Sequence, residues 1–489
     1  LQSTTAICPS LFNATTAQDG ILSRIRLPAG LITSTQCEVL TQVVNKFGNG
    51  EIQITNRANL QIRTSQALPE EVLLDFQDYG LASSTQSTDG LRNLMASPSA
   101  GIDVHAKLNT IPLVKAWNFY LLQHPELAIL SNKFSVCFDG GEAIRVSDRP
   151  NDICLVAVEV DQEIYFDLHL GLGDRGDSPV SVNVLISQNQ VLEVLAALTE
   201  VYRQYTQQQL NQKIYLRSRP PRLRDLIHDW GMEKYLALVV EKLGYTLKPS
   251  PLAPLPLGER GTRSLEACEH LGIHPQKQSG LFYIGVVVPL GRLTSQQLAG
   301  LARLAKQSGG GALRLTPWQN LLITDIAEVD LEQVTQEILN LGLYISANHP
   351  YAAIAACSGY KGCKSAFTDT QADAKAIASH LEKCIQLDYP INLHFSGCDK
   401  SCAQHHASDI ALVGKDSESY QIYVGDYVGD GEINFGRELY AEYAAHELPH
   451  LMERLINIYQ TQRQNPDQSF REFVNQCDLQ ELREVISHA

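Results

Sequence analysis

Cys357, Cys363, Cys398 and Cys402 read Cys-x5-Cys, a gap of about 34 residues, then Cys-x3-Cys. Four thiolates in such a set can hold a zinc ion or an iron–sulfur cluster. Zinc knuckles space the members of a pair two to four residues apart, and Cys-x5-Cys fits that poorly. A four-iron cube is wider, so its corners accept longer loops. The residues between the cysteines, SGYKG and DKS, are small and polar and can wrap a cluster without clashing. Gly362 and Gly397 precede Cys363 and Cys398, where backbone must come close to sulfide. A 4Fe–4S cluster is the expected occupant; structural zinc and inert thiols are the alternatives. His405 and His406 follow closely. They could ligate a second iron, although loop capping or a surface position is the more ordinary use of such residues.

The chain has 489 residues, enough for two or three packed domains, and 11 cysteines. The head LQSTTAICPS shows no signal peptide, so disulfides are not expected and a cytoplasmic location is. The chain starts at Leu1 rather than Met, so a few residues are expected upstream. Cys8, Cys37, Cys137, Cys154, Cys268, Cys384 and Cys477 are scattered, and most read as small buried apolar residues. A net charge of −15 argues against a general nucleic-acid binder. No apolar run approaches the roughly 18–20 residues that span a bilayer.

The elements that must position the thiols come from a repeat. RLPAGLITSTQ…FGNGEIQITNRANLQI, from Arg26 to Ile62, matches VVPLGRLTSQQ…SGGGALRLTPWQNLLI, from Val287 to Ile323. One offset of 261 residues pairs Pro28 with Pro289, Gly30 with Gly291, Thr33 with Thr294, Thr55 with Thr316 and Asn59 with Asn320. A single gap-free offset points to duplication of one structural unit. Each unit reads strand, turn, helix, strand: ILSRIRLP and FYIGVVVP stop at proline, and Thr33 and Thr294 read as helix N-caps. Neither unit can bury its own faces, so the two are expected to pack together.

The expected fold class is α+β. Two pseudo-symmetric ferredoxin-like half units, residues 1–66 and 262–324, are each followed by a larger α/β domain, residues 67–246 and 325–489. The proline-rich stretch 247–261 is the expected linker.

These residues carry a resemblance. The cysteine pattern, TNRANLQIR, RNLMASPSAGID from Arg92 to Asp103, and KFSVCFDGG from Lys133 to Gly141 resemble siroheme-dependent sulfite and nitrite reductases. The likeness covers nearly the whole chain. It implies a 4Fe–4S cluster on the four cysteines, with Cys402 bridging to siroheme iron. Within the superfamily, the head with Cys8-Pro9, SGCDKSCA and ACSGYKGCKSAFTDTQADA are most similar to precorrin-3B synthases. That likeness implies an oxidoreductase of cobalamin biosynthesis, hydroxylating precorrin-3A with dioxygen and closing a lactone. Its implied cofactors are the cluster and a mononuclear non-haem iron. The alternatives are a siroheme-dependent nitrite or sulfite reductase and, in another class, a non-catalytic protein stapled by zinc.

A reduced tetrapyrrole is edged with acetates and propionates, so its pocket needs cations. Arg24, Arg26, Arg57 and Arg63 cluster in the first unit. The resemblance puts Arg57, Arg92 and Lys133 at the reacting ligand. Arg24, Arg26, Arg63, Asn59 and Asn320 are expected on the substrate, with a solvated strand face as the plainer reading of Arg24 and Arg26. Sulfite reductases carry a lysine two residues after the position of Lys133, and nitrite reductases an asparagine. Here the residue is Ser135, read as a lost charge that favours the large substrate over a small anion. The implied partners are a tetrapyrrole and an electron donor such as ferredoxin or a reductase, with neither nucleic acid nor membrane. The basic run KIYLRSRPPRLRD, from Lys213 to Asp225, is expected to lead a helix near the tetrapyrrole site, and DRGDS from Asp174 to be a turn.

Overall fold

A computed structural model describes residues 9–173, 177–211, 220–251, 268–404, 407–426 and 435–488. Cys8, most of the linker 247–261, part of DRGDS, the start of the basic run, and His405 and His406 lie outside the described residues.

The two half units repeat down to single hydrogen bonds. Thr33 caps the helix Ser34–Phe47: its Oγ1 accepts from the Gln36 N–H at 3.2 Å, and the Gln36 side chain accepts from the Thr33 N–H at 2.9 Å. Thr294 and Gln297 close the same box on the helix Ser295–Ser308, at 3.1 and 2.9 Å. Each box satisfies two N–H groups that a helix start leaves without intrahelical partners. Asn59 Oδ1 accepts from the Leu27 N–H at 2.8 Å, and Asn320 Oδ1 accepts from the Val288 N–H at 2.9 Å. Gly30 and Gly291 both have φ +66°. A Cβ on Gly30 would also lie 2.6 Å from the carbonyl oxygen of Leu315, so this turn presses directly on the other half.

That contact begins a reciprocal exchange. Leu31–Thr33 pairs antiparallel with Ala312–Leu315 of the second unit, and Arg292–Thr294 pairs with Gly48–Ile54 of the first. Each five-stranded sheet is thus finished at one edge by a strand from the other copy. An edge that would otherwise expose unpaired N–H and C=O groups is covered. The two helices pack on each other and share one core, with Ile32, Val44, Ile52 and Ile62 beside Leu293, Leu301, Leu313 and Ile323. The expected packing of the two units is met, and it is tighter than simple stacking.

Each half unit leads into an α/β domain of matching topology. In the first, Leu94–Ala96, Val136–Asp139 and Ile153–Val160 run parallel, then Glu163–Leu170 and Val180–Ser187 turn antiparallel, with Lys248–Pro249 at the edge. In the second, Ile354–Ala356, Leu393–Ser396 and Ile410–Gly414 run parallel, and Ser419–Val424 and Arg437–Ala444 follow antiparallel. Val136–Asp139, Leu393–Ser396 and Ile410–Gly414 are buried throughout, as parallel strands covered on both faces must be. The fold is the expected α+β arrangement of two ferredoxin-like half units, each followed by an α/β domain. Among the described residues, no helix is long and apolar enough to cross a membrane.

Asn320→Ala should cost about 1–3 kcal/mol, because the buried Val288 N–H loses its acceptor. Urea unfolding measures this; a loss below about 0.5 kcal/mol would show that the side-chain bond is dispensable.

Candidate functional site

The four cysteines gather at the carboxyl ends of two parallel strands. Ala356 is in register with Phe395, and the Cys357 N–H donates to the Phe395 carbonyl at 3.1 Å. Cys357 and Cys398 therefore leave neighbouring strands on the same edge of the sheet, where open α/β sheets place ligands. The one-turn helix Gly359–Gly362 curls the chain so that Cys363 follows, its N–H bonded to the Gly359 carbonyl at 2.9 Å. The Gly397 N–H donates to Cys357 Sγ at 3.2 Å. A Cβ on Gly397 would sit 2.6 Å from the Cβ of Ala366, so only glycine lets backbone reach this sulfur.

Cys398 is buried and Cys402 exposed. Burial, first, pushes the Cys398 thiol up; Cys402 and Cys357 add to the shift, and the backbone at Lys400 opposes it. The three thiols thus share one electrostatic neighbourhood, and thiolates there need positive charge between them. Four sulfur donors on two loops are a set that a four-iron cluster takes.

The first unit turns a cationic face toward these loops. Alternation along its sheet puts Ile25, Ile52, Ile54, Leu60 and Ile62 in the core, which leaves Arg24, Gln53, Gln61, Arg63 and Arg292 on the other face. Arg24 donates to Gln61 at 2.9 Å and Arg63 to Gln53 at 3.1 Å. Arg63 also pairs with Asp19 at 2.7 Å and donates to Ser358 Oγ at 3.0 Å, inside the Cys-x5-Cys loop. Asn56 donates to the carbonyls of Cys402 and Ala403 at 3.4 and 3.3 Å.

The next residue, Arg57, turns the other way. Its guanidinium donates to Asn93 Oδ1 at 3.0 Å, the Pro150 carbonyl at 2.7 Å and Asn151 Oδ1 at 2.5 Å. Burial is the main reason that its pKa is lowered to about 10. Asp152 opposes the shift, and Arg222 and Arg24 reinforce it. Arg57 therefore feels one carboxylate, Asp152, and two other guanidinium groups, Arg222 and Arg24.

The other expected residues divide. Arg26 is buried, 3.5 Å from Asp89, so the solvated strand face does not describe it. Arg92 approaches the same carboxylate at 3.7 Å and donates to the Gly80 carbonyl at 2.9 Å. Lys133 is exposed. Asn59 and Asn320 are buried, and each Oδ1 accepts from main chain; the Asn59 amide donates to Asn93 Oδ1 at 3.3 Å and the Asn320 amide to Ala352 O at 3.5 Å.

Ser135 is buried, and its N–H and hydroxyl both donate to Asp152 Oδ2, at 3.0 and 3.2 Å. Arg222 donates to both oxygens of that carboxylate, at 3.0 and 3.1 Å. Sequence reasoning does not single out Arg222, Asp152, Asn93 or Asn151 as site residues. Arg222 had a local signal inside the basic run: its N–H donates to Asp225 at 2.7 Å as the helix Leu223–Trp230 begins. The asparagines carry none, since their role depends on contacts across the fold.

The chain matches the nitrite/sulfite reductase ferredoxin-like half domain over residues 16–67 and 274–341, and the nitrite and sulphite reductase 4Fe-4S domain over 87–247 and 351–489. It is 31% identical to the ferredoxin–nitrite reductase of Synechococcus elongatus, across 89% of this chain and 85% of that one. It is 30% identical to the chloroplastic ferredoxin–nitrite reductase of Zea mays, across 83% and 73%. A ferredoxin sulfite reductase of Mycolicibacterium paratuberculosis is 28% identical across 94% and 83%. The structure of the Mycobacterium tuberculosis NirA protein superposes with a TM-score of 0.76 at 25% identity, over 95% of this chain and 85% of that one. The chain belongs to the nitrite and sulfite reductase family, and it is an iron–sulfur enzyme of the oxidoreductase class.

The expectation of a precorrin-3B synthase is overturned. The relatives compared above are nitrite and sulfite reductases. Dioxygen-dependent hydroxylation, cobalamin biosynthesis and the mononuclear non-haem iron all rested on that likeness and fall with it. The weight placed on Ser135, read as a lost charge, does not hold: a neutral side chain there is like the neutral asparagine that the resemblance gives nitrite reductases, so it does not argue against a small anion. Ser135 is held by Asp152, whose carboxylate also pairs with Arg222.

Asp152→Ala should destabilise the fold by roughly 3 kcal/mol, since it strips Arg222 and the Ser135 N–H of a buried acceptor. Thermal unfolding measures the loss, and an unchanged midpoint would show that Arg222 finds an equal partner elsewhere.

Proposed function

We propose that the protein is a siroheme-dependent, ferredoxin-linked reductase of a small oxyanion, with nitrite as its substrate. The observation that carries this reading is a juxtaposition. Cys402, the exposed member of the thiol set, is bonded through its carbonyl to Asn56, and the next residue, Arg57, belongs to a group of cations in excess over carboxylate. The reading draws its donor and cofactor from the names and domains of its relatives.

Siroheme and a 4Fe–4S cluster, when bound, would supply the storage and delivery of electrons. Cys357, Cys363, Cys398 and Cys402 would hold the cluster, with Cys402 accessible enough to be shared with siroheme iron. Arg24, Arg63 and Arg292 would meet carboxylates at the tetrapyrrole rim, where forked guanidinium donors match carboxylate geometry. Arg57, with a pKa of about 10, stays protonated at neutral pH, and it would offer the substrate anion the N–H groups not taken by Asn93, Pro150 and Asn151. Arg222 adds positive potential beside it. Lys133, exposed to solvent, is suited to bring protons in. Ser135 leaves a neutral side chain where the resemblance gives nitrite reductases a neutral asparagine, and this favours nitrite over sulfite.

The test is consumption of nitrite and sulfite with reduced viologen by protein whose iron and siroheme content are known. Nitrite should be consumed faster than sulfite, and loaded protein inert toward both anions would overturn the proposal. Arg57→Ala should lower turnover by about 100-fold while siroheme and iron are retained, because the group acts on developing charge. Cys398→Ser should lose iron and acid-labile sulfide, and Cys154→Ser should keep both. Equal iron loss in the two would show that other cysteines hold the cluster.

A further inference from the structure

Away from the cluster, the helices Thr370–Cys384 and Leu448–Gln462 pack side by side. His380 and Cys384 stand four residues apart on the first, and His450 and Glu453 three apart on the second. Those spacings put each pair on one helix face. The ligand atoms of His380, Cys384 and Glu453 all lie within 4.8 Å of one another. His380 Nε2 is 2.6 Å from Glu453 Oε2, and His450 Nδ1 is 3.6 Å from the same oxygen. The two imidazoles meet edge to face, with centroids 4.7 Å apart.

We propose that His380, Cys384 and Glu453 form a zinc site, separate from the cluster and from the anion site, with His450, which reaches the same carboxylate oxygen from outside that group of three, turning in as the fourth donor. Two imidazoles, a thiolate and a carboxylate make four donors of mixed type, the number and kinds that zinc takes in tetrahedral sites. Magnesium and calcium favour all-oxygen shells, and this set has only one carboxylate. A plain ion pair accounts for His380 and Glu453. It does not account for Cys384, an exposed thiol brought to the same point, nor for the second imidazole on the same carboxylate oxygen. Zinc would replace the His380–Glu453 hydrogen bond and release the thiol proton of Cys384.

The position gives the site a use. The helix Thr370–Cys384 is tied at its start to Cys357, whose carbonyl accepts from Thr370 Oγ1 and Gln371 Nε2, each at 2.8 Å. A metal at its far end would fasten this helix to Leu448–Gln462 and so hold the strut behind the cluster loop.

The experiment uses the protein with its full iron and sulfide complement, because empty cluster thiols would also take zinc. Zinc is titrated in against a competing chelator and its bound stoichiometry measured. Wild-type protein should hold one equivalent. X-ray absorption at the zinc edge should show one sulfur at about 2.3 Å and nitrogen or oxygen at about 2.0–2.1 Å. Cys384→Ser should remove the sulfur shell and weaken binding by about tenfold or more, and His380→Gln should weaken it similarly. Iron and sulfide should be unchanged in both variants, which separates loss of the site from unfolding. Wild-type protein that binds no zinc, or variants that bind it as tightly, would overturn the proposal.

Discussion

The parallel register of Ile354–Ala356 against Leu393–Ser396 is the constraint on which the thiol site depends. With Ala356 opposite Phe395, two cysteine loops leave the sheet side by side. A slip of one residue would reverse every side chain on the strand and send Cys357 to the other face. The register is held because both strands are largely buried and their side chains are packed on fixed neighbours, which a slip would exchange. The gap of about 34 residues between the cysteine pairs has the same origin. Parallel neighbours cannot be joined by a tight turn, and the chain must cross over through a helix, here Thr370–Cys384. The spacing that marks the motif is the length of that crossover.

Duplication makes the asymmetry of the site informative. Ser97 follows Ala96 in the first α/β domain as Cys357 follows Ala356 in the second. Its hydroxyl is bonded to the Ile144 carbonyl at 2.8 Å. The first copy keeps the sheet edge but no thiol there. The half units differ likewise: at the 261-residue offset, Arg57 faces Trp318. Trp318 stacks on His270, centroids 5.1 Å apart, under the Arg149 guanidinium at 4.9 Å. Burial lowers the His270 pKa to about 3, so that ring stays neutral. One copy of the turn carries a cation toward the first α/β domain, and the other is packed as an aromatic wall. The same backbone has been given two chemistries by changing single side chains.

What could be read in the sequence was what is local or repeats at a fixed distance. The 261-residue offset, the capping threonines and the cysteine spacing depend on neighbours in the chain, and the half units and their caps appear as expected. The strand exchange was not legible. Leu31–Thr33 and Arg292–Thr294 have three residues each, and nothing in so short a run names its partner. The Asp89 pairing of Arg26 and Arg92 was hidden for the same reason, since it joins residues 63 positions apart in one case and in the other needs the chain to be folded. Ser135 misled because a missing lysine is visible in a sequence, and the Asp152 carboxylate that holds the serine and pairs with Arg222, 87 residues from it, is not.

The cations also explain why the site and the fold are coupled. Arg92 and Arg57 both have their pKa lowered, burial being the first cause, so holding them charged opposes folding. Asp89 stands between Arg26 and Arg92, and Asp152 serves Arg222 while Arg57 lies within its field. In each group, carboxylate is outnumbered by guanidinium. The residual positive charge is what an anionic ligand would neutralise, and neutralisation removes part of the desolvation cost. A ligand that binds the folded protein and not the unfolded chain adds its binding free energy to stability. Net charge of the same chain is −15, so this cationic island is kept by position and not by composition. The acid residues spread elsewhere repel anions at long range, where salt screens them within about 10 Å, and leave the buried arginines to act at contact distance.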